Sequence, residues 1–139
     1  MTQTFDMQRF VDAQADQYPS VLQELRAGRK TSHWMWYIFP QIKGLGSSLT
    51  AQKYAIVSRE EARAYLEHPV LGARLQECTR LVLAVGGRTA NQIFGSPDDV
   101  KFRSCMTLFA QSADDSELFE QALTKYFGGK PDPLTLARL

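Results

Sequence analysis

Thr31-Ser-His-Trp-Met-Trp-Tyr-Ile-Phe-Pro40 is the stretch on which the fold turns. Its aromatic and branched side chains favour a strand. A lone strand, however, leaves its backbone N–H and C=O groups without partners. No other stretch supplies a partner strand, because apolar residues elsewhere recur at helical spacing. The segment therefore reads as a short buried helix, with Thr31 or Ser32 as cap and Pro40 as its end. With this strand candidate removed, the fold class is all-α.

The helical pattern continues on both sides. Met7, Phe10 and Gln14 mark a first helix over about residues 6–16. Pro19 suits the first turn of a second helix, whose Leu22 and Leu25 face inward and which Gly28 stops. Gln41-Ile-Lys-Gly-Leu-Gly-Ser-Ser48 is a loop or tight turn. Residues 49–56 form a weak helical turn, with 54–57 open to an extended conformation. Ser58 and Glu61 make a capping box for a helix reaching about Glu67. Pro69 starts the next helix, in which Leu71, Leu75, Cys78, Val82 and Val85 form a buried stripe. Gly86 and Gly87 end it. A short helix spans 89–94 and stops at Gly95. Ser96-Pro97-Asp98-Asp99 then supplies a cap, a first-position proline and two first-turn acids. Phe102, Cys105, Met106 and Phe109 form the inner face of that helix. Ser116 opens another, with Phe119, Ala122, Leu123 and Tyr126 inward and Gly128-Gly129 at its end. Asp132-Pro133 begins a last turn. The expectation is a single compact domain over 1–139 with seven or eight short helices.

A chain of 139 residues buries about 68–70% of its unfolded surface, enough for a core without disulfide or metal. Sixteen basic residues against 15 acidic ones leave a net charge of +1, which argues against a generic nucleic-acid surface. The densest apolar run, 34–39, is far short of the roughly 20 residues that span a bilayer. Met1–Phe10 shows no positively charged stretch followed by an apolar one, so no signal peptide is expected. The expected location is the cytoplasm, and no membrane partner is expected. Cys78 and Cys105 read as free core thiols. With His33 and His68 they form no closely spaced ligand pair, so neither a metal nor another cofactor is expected.

Two segments concentrate polar and aromatic groups. Residues 29–48 bring Lys30, His33, Trp34, Trp36 and Gln41 next to a turn containing Ser47, and Tyr54 follows. As a ligand pocket, the aromatics would stack a base or sugar, Lys30 and His33 would meet an anion, and turn amides a phosphate. As structure, the same residues are an aromatic core wedge with polar edges. The glycine turn lacks the Lys-Ser/Thr ending of a P-loop and follows no strand, as a dinucleotide fingerprint would. The second segment, 96–107, places Asp98, Lys101, Ser104 and Thr107 three apart on one flank of a helix. They could face a ligand, or be capping acids on a solvated face. His68 reads as a cap or surface residue, and Arg59-Glu60-Glu61-Ala62-Arg63 as a solvated run of helix-surface ion pairs.

His33-Trp-Met-Trp-Tyr-Ile-Phe-Pro-Gln-Ile-Lys-Gly-Leu-Gly-Ser47 resembles the signature of DUF1810, a bacterial family of unknown function whose members are often mislabelled calpastatin. Arg9-Phe-Val-Asp-Ala-Gln14, Glu24-Leu-Arg-Ala-Gly-Arg-Lys30, His68-Pro-Val-Leu-Gly-Ala-Arg74 and Lys101-Phe-Arg-Ser-Cys-Met106 extend the resemblance over nearly the whole chain. It implies a compact multihelical domain and no established activity. The calpastatin label fits poorly, since calpastatins are disordered inhibitors and this chain has a core. In layout alone, the chain also looks similar to hydrolases of N-glycosidic bonds in ADP-ribose-like and riboflavin-pathway compounds. No catalytic residue carries over from them.

The leading expectation is a site for a small nucleotide-like or phosphorylated ligand, with hydrolysis of an N-glycosidic bond as its candidate reaction. Such a cleavage needs a carboxylate facing the developing oxocarbenium and a proton for the leaving base. Asp98 is the candidate for the first and His33 for the second, while Lys30, Trp34, Trp36, Gln41, Ser47, Tyr54, Lys101 and Ser104 are candidates for binding. The alternative is a non-catalytic protein-interaction module with an aromatic structural core. Whether the two polar segments meet decides whether they form one site.

Overall fold

Periodicity alone accounts for most of the architecture. In the computed structural model, which describes residues 5–139, the helices run α1 (Gln8–Gln14), α2 (Tyr18–Arg26), α3 (Met35–Ile38), α4 (Leu49–Lys53), α5 (Arg59–Glu67), α6 (Leu71–Ala84), α7 (Ala90–Phe94), α8 (Asp98–Ser112), α9 (Glu117–Phe127) and α10 (Pro133–Leu136). The count exceeds the expected seven or eight because four of these segments, α3, α4, α7 and α10, last only about one turn. The described residues contain no strand. Their only sheet-like feature is a parallel bridge between Ile42 and Ile56, in which the Ile56 amide donates to Gln41 O at 2.9 Å and the Lys43 amide to Ile56 O at 2.8 Å.

α8 is the central helix, with α5, α7, α9 and α10 packed around it, and α6 bridges α2, α5 and α9. Phe102, Cys105, Met106 and Phe109 are fully buried on α8, and Leu71, Leu75, Cys78 and Val82 on α6, as their spacing requires. The 34–39 stretch is part of this core. Trp34 and Phe39 are fully buried, and the Phe39 ring meets Phe94 and Phe102 edge-on at 5.9 and 5.0 Å. Phe94 and Phe102 stack at 4.7 Å. Both cysteines are free and buried. Burial pushes the Cys78 thiol up to about 12 and the Cys105 thiol well above its ordinary range.

Local signals are honoured at several helix ends. Gly28, at φ +72°, closes α2: its amide donates to Leu25 O and that of Arg29 to Glu24 O, both at 3.0 Å, which is a Schellman turn. Thr89 and Gln92 form a capping box, and His68 Nδ1 accepts from the amides of Val70 and Leu71.

Three expectations need correction. Neither Thr31 nor Ser32 caps α3, whose start has no side-chain cap; their amides donate instead to Glu24 Oε1 at 2.6 and 2.8 Å. Ser96 does not cap α8, which Pro97 precedes as the residue at its N-terminal edge. Glu61 belongs to no solvated run: it is 2% exposed. Ser58 does accept from the Glu61 amide, but the Glu61 carboxylate turns away to the Val57 amide at 2.8 Å and to Arg9 at 3.1 Å. Arg9 also reaches the carbonyls of Lys53 and Ala55. An acid with this many donors can be buried without an uncompensated charge.

Candidate functional site

The two polar segments meet. The Lys30 ammonium lies 2.8 Å from Asp98 Oδ2, and Lys101 lies 3.4 Å from Asp98 Oδ1. Lys101 also stands 5.3 Å over the Trp36 ring. The Schellman turn at Gly28 directs the chain back, and the Lys30 amide donates to Ile93 O at 2.7 Å. This fastens the α2–α3 connection to α7, immediately before Asp98 opens α8.

The two lysines are not equivalent. The Lys30 side chain is 6% exposed, donates to Ser32 O at 2.5 Å and sits 5.0 Å over the Trp34 ring. Nearly all the surroundings of its side chain are protein. Lys101 is 26% exposed and faces solvent beside Trp36. Asp98 has one ammonium on each oxygen, so this carboxylate is an electrostatic group already clasped from two sides.

The tryptophans also separate. Trp34 is fully buried and its indole N–H donates to Glu24 Oε1 at 3.1 Å. Its place as a ligand-stacking residue is withdrawn, because no ligand can reach a ring enclosed by the core. Trp36 is half-buried. With Gln41, Gly44, Gly46, Gln52 and Tyr54 it lines a cleft of about 30 Å³, enough for a water or the edge of a ligand. Ser47 and His33 are exposed. The Ser47 carbonyl accepts from Gln52 at 2.9 Å, and the His33 carbonyl from the Tyr37 hydroxyl at 3.3 Å.

Ser104 leaves the site. It is 3% exposed, and its hydroxyl lies 2.8 Å from Asp132 Oδ2. Thr107 is fully buried and accepts the Asp132 amide at 2.9 Å. Asp132 also caps α10 through Thr135. Burial opposes ionisation of Asp132, but the hydroxyls of Thr135 and Ser104 and the amides of Leu134 and Thr135 outweigh it and hold the carboxyl below its ordinary range. The far half of the expected polar strip is therefore the anchor of the C-terminal turn. Helical spacing placed these residues on one flank, but only packing decides where that flank passes under another segment.

Glu24 was not among the candidates. It gathers three donors and so shapes the 31–34 turn. Burial raises its carboxyl pKa, but the bonds from Thr31, Ser32 and Trp34 outweigh this and bring it below the ordinary value. Its place one turn before a glycine stop carries no local signal of that role.

This fold is that of a class of multihelical proteins described as of unknown function. A sequence model of the family described as protein of unknown function, DUF1810, matches residues 4–139, and the chain belongs to that family. Among solved structures, it is similar to the conserved hypothetical protein Rv1873 from Mycobacterium tuberculosis, solved at 1.38 Å. The two share 57% identity over 97% of this chain and 96% of that one, with a TM-score of 0.96. No curated protein matches.

Proposed function

We propose that the cleft beside Trp36 binds a small anionic ligand of nucleotide-like or phosphorylated character. One observation supports this above the others: Lys101 is half-committed, touching Asp98 on one side while standing over a half-buried indole on the other. An ammonium beside an accessible aromatic face suits a flat ring carrying negative charge. Lys30 neutralises Asp98 from the protein side, which leaves the centre with a surplus positive charge. Gln41 and Tyr54 line the cleft and would meet the edge of the ring, with Ser47 and His33 at the exposed surface. If an N-glycosidic bond is cleaved here, Asp98 faces the developing cation once the ligand's anionic group has drawn Lys101 away, His33 supplies the proton to the leaving base, and water adds to the sugar carbon.

A thermal-shift screen with nucleotides, ADP-ribose, NAD, flavin-pathway intermediates and sugar phosphates tests this. A ligand at 100 times its dissociation constant stabilises by about 2.7 kcal/mol, a rise of roughly 5–10 °C for a chain of this size. Lys101→Ala should remove the response while leaving the unliganded midpoint within about 0.5 kcal/mol of the parent. Product analysis of the responding mixture separates binder from hydrolase. A flat screen on folded protein, or an undiminished response in Lys101→Ala, refutes the assignment. The alternative, a non-catalytic interaction module, draws support from the burial of Trp34 and Phe39 in the core. Partner capture from cell extract together with a flat screen would favour it.

A further inference from the structure

A ligand-sized cavity lies away from this cleft, at the other end of α8. Asp98 opens that helix and Ser112 closes it, about 21 Å apart along the axis at 1.5 Å per residue. Beside Ser112, α5, α6, α9 and the α8–α9 connection line an open cavity of about 480 Å³, within the range of about 300–1,000 Å³ typical of small-molecule sites. Leu66, Leu118 and the buried Phe119 give it apolar walls.

Its charges are unevenly committed. Arg63 is occupied: its Nε–H donates to Ser112 O at 2.9 Å, where it caps the end of α8, and its Nη2 lies 3.8 Å from Asp114. Glu67, Asp115 and Glu117 also line the cavity, and no ion pair engages them among the described residues. Against these three carboxylates stands one remaining guanidinium, Arg80, whose bond is to Gln76 at 3.4 Å. A cavity with both apolar and polar walls and a surplus of carboxylates at its rim matches a ligand with an apolar body and a cationic head. An organic anion of the same shape would meet repulsion from the three acids.

We propose that this cavity is a second binding site, selective for small primary amines with an aromatic or branched apolar body. It is separate from the anion cleft at Trp36, and the fate of one assignment does not decide the other.

The test is a ¹⁵N chemical-shift titration of the full chain with phenethylamine, and in parallel with 3-phenylpropionate, which carries the opposite charge on a similar body. The expected result is a saturable response to the amine centred on the amides of Leu66, Ala113 and Leu118, and none there to the carboxylate. In the Glu67→Gln/Asp115→Asn/Glu117→Gln variant, whose changes are on exposed side chains, amine affinity should fall about tenfold or more with the spectrum still dispersed. If that variant does not fold, Glu67→Gln alone serves, with an expected weakening of about twofold. No saturable response, equal responses to amine and carboxylate, or unchanged affinity in the neutralised variant would each overturn the proposal.

Discussion

Glu24 shows how much one side chain can organise. Its carboxylate receives the amides of Thr31 and Ser32 and the indole N–H of Trp34, so it sets both the turn that delivers Lys30 and the seat of Trp34. Hydrogen bonds to a charged acceptor are worth about 1.5–3 kcal/mol, against about 0.5–1.5 for neutral ones. Glu24→Gln should therefore cost about 1–2 kcal/mol at neutral pH, measured by urea unfolding. The pH dependence has a definite sign. The folded carboxyl titrates below its ordinary value, so its contribution is complete above the unfolded pKa of about 4.3. It is lost as pH falls through the lower folded pKa. Between those limits Glu24→Gln should show a shallower loss of stability than the parent, and parallel acid limbs would contradict this role. Trp34 and Trp36 teach a related lesson. Trp36 lies within α3 and Trp34 at its N-terminal edge, and one indole is enclosed while the other reaches solvent. Spacing does not say which is which.

At the scale of elements, α5 and α6 come close together at one glycine. Gly72 is buried in the first turn of α6, and a methyl group there would overlap the Leu66 carbonyl oxygen near the end of α5. Two effects of Gly72→Ala oppose each other. Alanine gains about 1 kcal/mol in helix propensity, whereas overpacking against backbone costs about 1–3 kcal/mol. Since a carbonyl cannot rotate away as a flexible side chain can, the overlap should win. The expected result is a lower melting temperature by calorimetry; an unchanged or higher one would mean that the helices part without penalty. The glycine signals at 28, 95 and 128 were readable because they terminate helices locally. Gly72 sits inside a helical pattern and is explained only by a neighbour, as is the polar flank of α8 that runs from Asp98 to the Asp132 anchor.

Across the whole molecule, a few long-range pairs join segments that sequence leaves unrelated. Arg9 and Glu61 tie α1 to α5 and to the 53–57 segment, and Lys30 and Asp98 tie the α2–α3 connection to α8. Removing one partner of a desolvated pair strands the other. Asp98→Asn should thus cost about 1–3 kcal/mol, because Lys30 is only 6% exposed, in contrast to the near-neutral Lys101→Ala. Chemical denaturation of the two variants side by side measures the difference. Equal stabilities would show that the Lys30–Asp98 pair contributes nothing to the fold and return Asp98 to a purely functional role.

What the chain declares by itself is local: the 3.6-residue apolar rhythm, the glycine and proline punctuation and the long aromatic signature, which together fix an all-α architecture and a family. These depend on neighbours within a turn or two, where spacing is geometry. Which aromatic is enclosed, which lysine is spent within the protein, where the Ser104 flank disappears and where a ligand-sized cavity opens are matters of tertiary packing. Each depends on residues tens of positions apart, whose meeting is decided by how all the helices pack together rather than by any one segment.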